Sequence, residues 1–128
     1  MPGRSGLSHL TAPRQEYAMA ALTTNVVPLA GLRYDNKLVA AAGGGDTAQT
    51  GAGVFLAVAN GDSGSHTVTI ATPGTVDGLA IADRAVAVPA GQTFLIPLTD
   101  RYRDPATGRA AISYDGVTSV TVGVLRVA

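Results

Sequence analysis

Short apolar segments that end at turn residues constrain the fold of this chain more than any other feature. Residues 54–59 (VFLAVA) are continuously apolar, as in a strand that is covered on both faces. Asn60-Gly61 follows as a signal for a tight turn or hairpin, and residues 67–72 (TVTIAT) then alternate with period two until Pro73-Gly74. Further segments of this kind lie at residues 23–29, 85–88, 93–98, 110–114 and 119–127.

The spacing of these segments predicts the fold class. Roughly seven or eight short strands separated by turn signals are typical of an antiparallel β-sandwich, either Ig-like or jelly-roll-like. A parallel α/β fold would need crossover helices, and the chain contains no amphipathic stripe of helical period. Pro89-Ala90-Gly91 separates two of the segments and predicts a hairpin between them. We therefore expect an all-β fold.

The chain divides by composition into a leader and one domain. A length of 128 residues suits a single domain. Residues 1–18 are rich in Gly, Ser, Pro and Arg without an apolar period, which predicts a flexible N-terminal arm that becomes ordered against a partner. Residues 19–128 are expected to form the β-sandwich. The alternative is that the leader has no role and that the functional chain begins at Met19.

Composition and charge narrow the classes of function. The chain has no Cys, which excludes disulfides, thiolate nucleophiles and zinc–cysteine sites. Nine Lys and Arg balance nine Asp and Glu, so the basic footprint of a nucleic-acid-binding protein is missing. No apolar run approaches the about 20 residues that span a bilayer, and the N-terminal residues lack the apolar region of a secretory signal. We expect neither a nucleic-acid nor a membrane partner.

Candidate catalytic and metal-binding residues are few and scattered. His9 lies in the arm, His66 is expected to be a surface residue of a strand, and no Gly-x-Ser-x-Gly elbow accompanies either. Asp100 and Asp104 flank an Arg-Tyr-Arg segment, but Asp commonly closes turns in β-proteins. No Asp-x-Asp-x-Asp-Gly calcium loop is present. We therefore predict that the chain is not an enzyme and has no catalytic residue, cofactor or metal ion.

Two features point to a partner. Residues 54–59 and the last strand are apolar at both parities, which indicates that outer faces are covered by another subunit or a partner, or else by the N-terminal strand or a long loop. The arm could wrap across a neighbouring molecule. Phe55 and Phe94, which lie within apolar strands, are predicted to be core residues. The possible partner contacts are Arg4, Arg14, Tyr17, Arg101, Tyr102 and Arg103.

The second half of the chain carries a resemblance to a known family. The matching segments are VANGDSGSHTVTIATPGTVDGLAIADRAVAVPAGQTFLIPL and AISYDGVTSVTVGVLRV. They resemble small β-sandwich proteins encoded among the structural genes of tailed phages of actinobacteria. The match runs from Val58 to about Val127, a little over half of the chain. Several members of that family are head decoration (cement) proteins or other minor virion proteins.

The resemblance implies a virion structural protein. Its expected role is to decorate the outer surface of the phage head. There it would bridge subunits of the major capsid protein and stabilise the capsid lattice. It would assemble in the host cytoplasm and act as a homo-oligomer, expected to be a trimer at the three-fold positions of the lattice. The alternatives are a head–tail connector or tail-side structural protein, and an extracellular carbohydrate- or surface-binding module.

Overall fold

Strands make up almost all of the regular structure in residues 19–127, the part of the chain that a computed structural model describes. Strand accounts for 49% and helix for 6%, which confirms the predicted all-β class. Residues 1–18 and 128 lie outside the described residues. The predicted arm and its candidate residues Arg4, His9, Arg14 and Tyr17 are therefore not part of the description.

Each of the seven apolar segments in the sequence contains one strand of four residues or more, and shorter strands lie between them. Two 3₁₀ helices span Asp35–Lys37 and Asp100–Tyr102. The strands are β1 (Ala20–Ala21), β2 (Thr24–Val27), β3 (Val39–Ala40), β4 (Asp46–Ala48), β5 (Val54–Asn60), β6 (His66–Ile70), β7 (Thr75–Val76), β8 (Leu79–Ala80), β9 (Arg84–Val88), β10 (Thr93–Pro97), β11 (Arg103–Asp104), β12 (Arg109–Tyr114) and β13 (Val120–Val127).

The strands form two main sheets and a separate hairpin. Sheet 1 has the order β1-β4-β12-β6-β9, with β11 also paired to β12, and sheet 2 has the order β10-β5-β13-β2, with β3 also paired to β13. Eight of these strands can be counted from first to eighth in chain order: β3, β4, β5, β6, β9, β10, β12 and β13. Their spatial order is then first–eighth–third–sixth in sheet 2 and second–seventh–fourth–fifth in sheet 1. This is the double Greek key of a jelly roll, one of the two sandwich types that the spacing predicted.

All pairings among those eight strands are antiparallel. The N-terminal segment makes two parallel additions, in which β1 pairs with β4 and β2 pairs with β13. The predicted hairpin across Pro89-Ala90-Gly91 is wrong, because β9 belongs to sheet 1 and β10 to sheet 2. The turn after Asn60 likewise leads from sheet 2 to sheet 1, so both turns are corners between the sheets.

Alternation along the strands builds the core. In β5 the side chains of Val54, Leu56 and Val58 point between the sheets, where they meet residues such as Ile70 and Ile112 of sheet 1. β-branched residues favour this pleated, half-buried setting. The intervening residue Phe55 has the opposite parity and lies on the outer face of sheet 2, so its predicted place in the core is wrong.

A loop covers part of the outer face of sheet 2. Ala57 is fully buried although it has the outward parity of β5, and its neighbour in β13 is Gly123. A Cβ at Gly123 would lie 2.8 Å from Cδ2 of Leu38, which shows that Leu38 lies directly over this glycine. The loop before β3 therefore covers the apolar residues at this point of the outer face. Cover by a long loop was the alternative to a partner that the sequence allowed.

The N-terminal segment closes one side of the sandwich. It passes from β1 on sheet 1 to β2 on sheet 2, and Leu22 between them is only 6% exposed and belongs to the core. The guanidinium of Arg109 donates hydrogen bonds to the carbonyl oxygen of Leu22 at 2.9 Å and to the carbonyl and hydroxyl oxygens of Thr47 at 3.2 and 3.0 Å. We call β1, Leu22 and β2 the sealed edge.

Candidate functional site

The opposite side of the sandwich is open. There the edge strands β9 and β10 lie in different sheets and leave a cleft of about 710 Å³ between them. Val86 of β9 and Phe94 and Ile96 of β10 line this cleft, and all three have the parity that faces the core. The ring of Phe94 contacts the core without being fully buried, so its predicted place in the core is only half right.

Two arginines stand at the opening of the cleft. Arg84 and Arg101 both line it and are both exposed. Arg84 pairs with Ile70, whose side chain points into the core, so a charged residue occupies an inward-facing position of an edge strand. Among residues 19–127, neither arginine has a carboxylate within salt-bridge distance or a side-chain hydrogen bond. A second hollow of about 240 Å³ adjoins the same two side chains.

The predicted Arg-Tyr-Arg contact patch is divided by the structure. Tyr102 is 8% exposed and belongs to the core, so it is not a surface aromatic. Arg101 opens toward the cleft, whereas Arg103 lies in β11 and does not line it. Sequence reasoning missed Arg84, although the alternation of Arg84, Val86 and Val88 places a charge at a core-facing parity and was a signal for it.

A small hairpin projects beside the cleft. Strands β7 and β8 pair only with each other, and their turn contains Asp77 and Gly78, both with positive φ, at 53° and 77°. Val76 is 62% exposed, Leu79 is 72% exposed and Ile81 is 38% exposed. Three large apolar side chains thus face solvent in one short segment. We call the hairpin, β9, β10 and the residues up to Tyr102 the open side.

His66 is held between two carboxylates. Its Nε2 lies 2.9 Å from Oδ2 of Asp62 and its Nδ1 lies 3.1 Å from Oδ1 of Asp115. Hydrogen bonds that the ring donates, first to Asp62 and then to Asp115, raise the pKa of His66 above its ordinary value. Both ring nitrogens are occupied, so the imidazole ties the loop after β5 to the turn after β12. His66 is the first residue of β6, and the expectation that it is a surface residue of a strand did not include its two carboxylate partners.

A polar pair inside the sandwich consists of the buried Asp46 and the partly buried Tyr114. The hydroxyl of Tyr114 donates to Oδ2 of Asp46 at 2.7 Å, and the backbone N–H of Ala42 donates to the same oxygen at 3.2 Å. Burial, together with the Asp46 carboxylate, raises the pKa of Tyr114. Oδ1 of Asp46 has no hydrogen-bond partner. The pair joins β4 to β12 across the end of sheet 1.

The remaining acidic candidates close turns and loops. Oδ1 of Asp83 accepts a hydrogen bond from the backbone N–H of Thr72 at 2.8 Å. Oδ1 of Asp100 accepts from the hydroxyl of Thr50 at 2.9 Å, and Oδ1 of Asp104 accepts from a backbone N–H two residues later at 2.9 Å. No group of three or more His, Asp or Glu side chains in residues 19–127 is placed to bind a metal ion.

Comparisons with known proteins show no family for this chain. No family model, curated protein or solved structure matches it. None of the helices in the part of the chain described above has the length and apolar character to cross a bilayer. The resemblance to phage virion proteins therefore remains a prediction from the sequence.

Proposed function

We propose that this chain is a structural protein of a tailed-phage virion that decorates the outer surface of the head and docks through the β7–β8 hairpin of its open side. The observation that carries this proposal is the β7–β8 hairpin with its exposed Val76, Leu79 and Ile81. The hairpin lies within the TPGTVDGLAIAD segment that carries the sequence resemblance. The assignment to a phage rests on that resemblance, and the docking role rests on the hairpin.

Exposed apolar side chains that cluster in one segment mark interaction surfaces in soluble proteins. An isolated two-stranded hairpin is at best marginally stable in water. The β7–β8 hairpin has no other strand to pair with among the described residues, and docking against a capsid protein would bury its apolar side chains and stabilise it. Jelly rolls occur in both viral capsid and lectin domains, so the fold is compatible with the role without specifying it.

Cosedimentation tests the docking role. The purified protein is mixed with capsids of the phage that encodes it, after the capsids have been stripped of their own copies of the protein. The double variant Val76→Asp/Leu79→Asp places two charges on the hairpin. Val39→Asp/Leu29→Asp is the matched control, because it changes one exposed Val and one exposed Leu away from the open side. We expect the hairpin variant to lose capsid binding while the control retains it, with circular dichroism confirming that both are folded. Equal binding of both variants would remove the hairpin from the interface.

The copy number of the protein in purified virions tests where in the particle it lies. Decoration of the head predicts copies at the repeating positions of the capsid lattice, whereas a connector or tail-side protein would be present as one or a few rings. Sedimentation velocity of the purified protein tests the expected trimer. A purified protein absent from virions and retained instead on a glycan array would favour the carbohydrate-binding alternative and reject the virion role.

A further inference from the structure

We propose that the cleft between β9 and β10 binds a small amphiphilic anion, with the apolar part of the ligand in the cleft and its acidic head on Arg84 and Arg101. Ligands of this class include a fatty acid or another alkyl or aryl carboxylate, sulfonate or phosphate. This site is independent of the proposed virion role, which uses the hairpin.

The size and lining of the cleft suit such a ligand. Pockets for small molecules typically have volumes of about 300–1,000 Å³ and apolar walls with a few polar groups that fix the ligand's orientation. The cleft measures about 710 Å³, and Val86, Phe94 and Ile96 form apolar wall. The residues with polar side chains that line it are Arg84, Thr99, Arg101 and Tyr102.

The charges at the opening specify an anion. Arginine presents a planar fork of donors that matches carboxylate and phosphate oxygens. Neither arginine forms a salt bridge within residues 19–127. The acids next to them in sequence are hydrogen-bonded elsewhere, Asp83 to the N–H of Thr72 and Asp100 to the hydroxyl of Thr50. Two positive charges therefore face the cleft while the adjacent carboxylates are engaged elsewhere.

Tyr102 adds a further donor. The residue is 8% exposed, it lines the cleft, and its hydroxyl makes no hydrogen bond with any described residue. The hydroxyl is not itself buried, because Oδ1 of Asp46 is the only buried side-chain oxygen or nitrogen without a partner among the described residues. It is therefore accessible to donate a hydrogen bond to the head or linker of a bound ligand.

Protection of a sheet edge is the competing explanation. Edge strands often carry inward-pointing charges that prevent pairing with other chains. This explains Arg84 in β9, but it does not explain Arg101, which lies in the 3₁₀ helix Asp100–Tyr102 and not on a strand. The convergence of both side chains on one apolar cleft favours a ligand site.

The test is isothermal titration with dodecanoate below its critical micelle concentration, compared with dodecan-1-ol and dodecyltrimethylammonium. We expect dodecanoate to bind at least about tenfold more tightly than the alcohol, because hydrogen bonds to a charged group contribute strongly in a partly desolvated site. The cation should not bind. Failure of dodecanoate to bind, or equal affinity for acid and alcohol, would overturn the proposal.

Variants locate the site. Arg84→Gln/Arg101→Gln should reduce dodecanoate affinity at least about tenfold, to the level of the alcohol. Arg103→Gln/Arg126→Gln is the matched control, since neither residue lines the cleft, and it should bind as the original chain does. Methyl NMR shifts on binding should centre on Val86 and Ile96. Shifts at the hairpin instead, or equal loss in both double variants, would contradict the assignment.

A final arm distinguishes a free ligand from a membrane lipid. Binding to phosphatidylglycerol vesicles that dodecanoate displaces would identify a lipid as the source of the anion, and no binding to vesicles would identify a free amphiphile. Vesicle binding that persists in Arg84→Gln/Arg101→Gln would show a membrane-surface interaction outside the cleft and overturn the proposal. Capsid cosedimentation of the same variant should be unchanged, which keeps this test separate from that of the virion role.

Discussion

The two sides of this jelly roll differ in what fills the space between the edges of the two sheets. At the sealed edge, the chain itself crosses from sheet to sheet and buries Leu22, whose carbonyl oxygen accepts a hydrogen bond from the guanidinium of Arg109. At the open side, β9 and β10 separate around a cleft, and apolar side chains of the neighbouring hairpin remain in solvent. The chain's own residues therefore close the first side, whereas the second side exposes a cleft and apolar side chains, and it is there that we propose that partners bind.

The largest effect is expected at the sealed edge. Leu22→Ala should lower the free energy of unfolding by about 2–5 kcal/mol, because it removes a buried side chain and leaves a cavity between the sheets. Urea denaturation measures the loss. Leu79→Ala on the open side is the control and should change stability by no more than about 0.5 kcal/mol, since Leu79 is exposed. Similar losses for both would erase the contrast between the two sides.

Asn60, the last residue of β5, is hydrogen-bonded to the end of β9, one of the two strands that border the cleft. Its amide donates to the carbonyls of Gly64 and Val88, both at 2.9 Å, and its Oδ1 accepts from the N–H of Asp62 at 3.0 Å. Asn60→Ala should cost about 1–3 kcal/mol, because buried backbone groups lose their partners. Denaturation of Asn25→Ala, a partly exposed asparagine at the sealed edge, is the control. A neutral Asn60→Ala would show that the corner does not depend on this side chain.

The ring of Phe94 should matter less than a fully buried one. Because it borders the cleft, Phe94→Ala is expected to cost about 1–2 kcal/mol, below the about 3–5 kcal/mol typical of a phenylalanine in a core. Thermal or urea unfolding decides the matter. A loss in the full core range would indicate that the cleft closes around this ring in solution.

The smallest effect is a pH dependence at the end of the sandwich. The pKa of His66 is raised by Asp62 and Asp115. The pKa of Asp62 is lowered by His66, and that of Asp115 is lowered first by a backbone hydrogen bond from Thr67 and then by His66. Their ion pairs stabilise the fold fully between about pH 4 and pH 6.5, and the contribution is lost as the pH rises through the raised pKa of His66 or falls through the lowered pKa values of the acids.

Urea denaturation at pH 6 and pH 9 tests this dependence. The stability of the unmodified chain should fall between the two values by more than that of His66→Gln, which cannot be protonated. A smaller fall in the unmodified chain than in the variant would show that the histidine does not form these ion pairs.

The sequence predicted the strands better than their connections. Each of the seven apolar segments contains a strand, because alternation and turn residues are local signals. The corner after Val88 was predicted as a hairpin, and the corner after Asn60 as a tight turn or hairpin. The reason is physical, because the same turn residues serve a hairpin and a connection between sheets. Only non-local contacts, such as the bonds from Asn60 to Val88, decide between the two.

The candidate site was harder to predict for a related reason. Arg101 and Tyr102 were singled out together because they are adjacent, but the 3₁₀ helix exposes one and buries the other. Arg84 joins Arg101 only through the fold, since the two lie on different sides of β10 in the sequence. Their meeting depends on the crossing between the two sheets, which no local pattern records.

Hydrogen–deuterium exchange of the protein, free and bound to phage capsids, tests most directly the claim that the open side is the binding side. Binding should slow amide exchange in the β7–β8 hairpin, at Thr75–Val76 and Leu79–Ala80, while Ala20–Ala21 and Thr24–Val27 at the sealed edge exchange as before. Protection confined to the sealed edge, with the hairpin unchanged, would contradict the account.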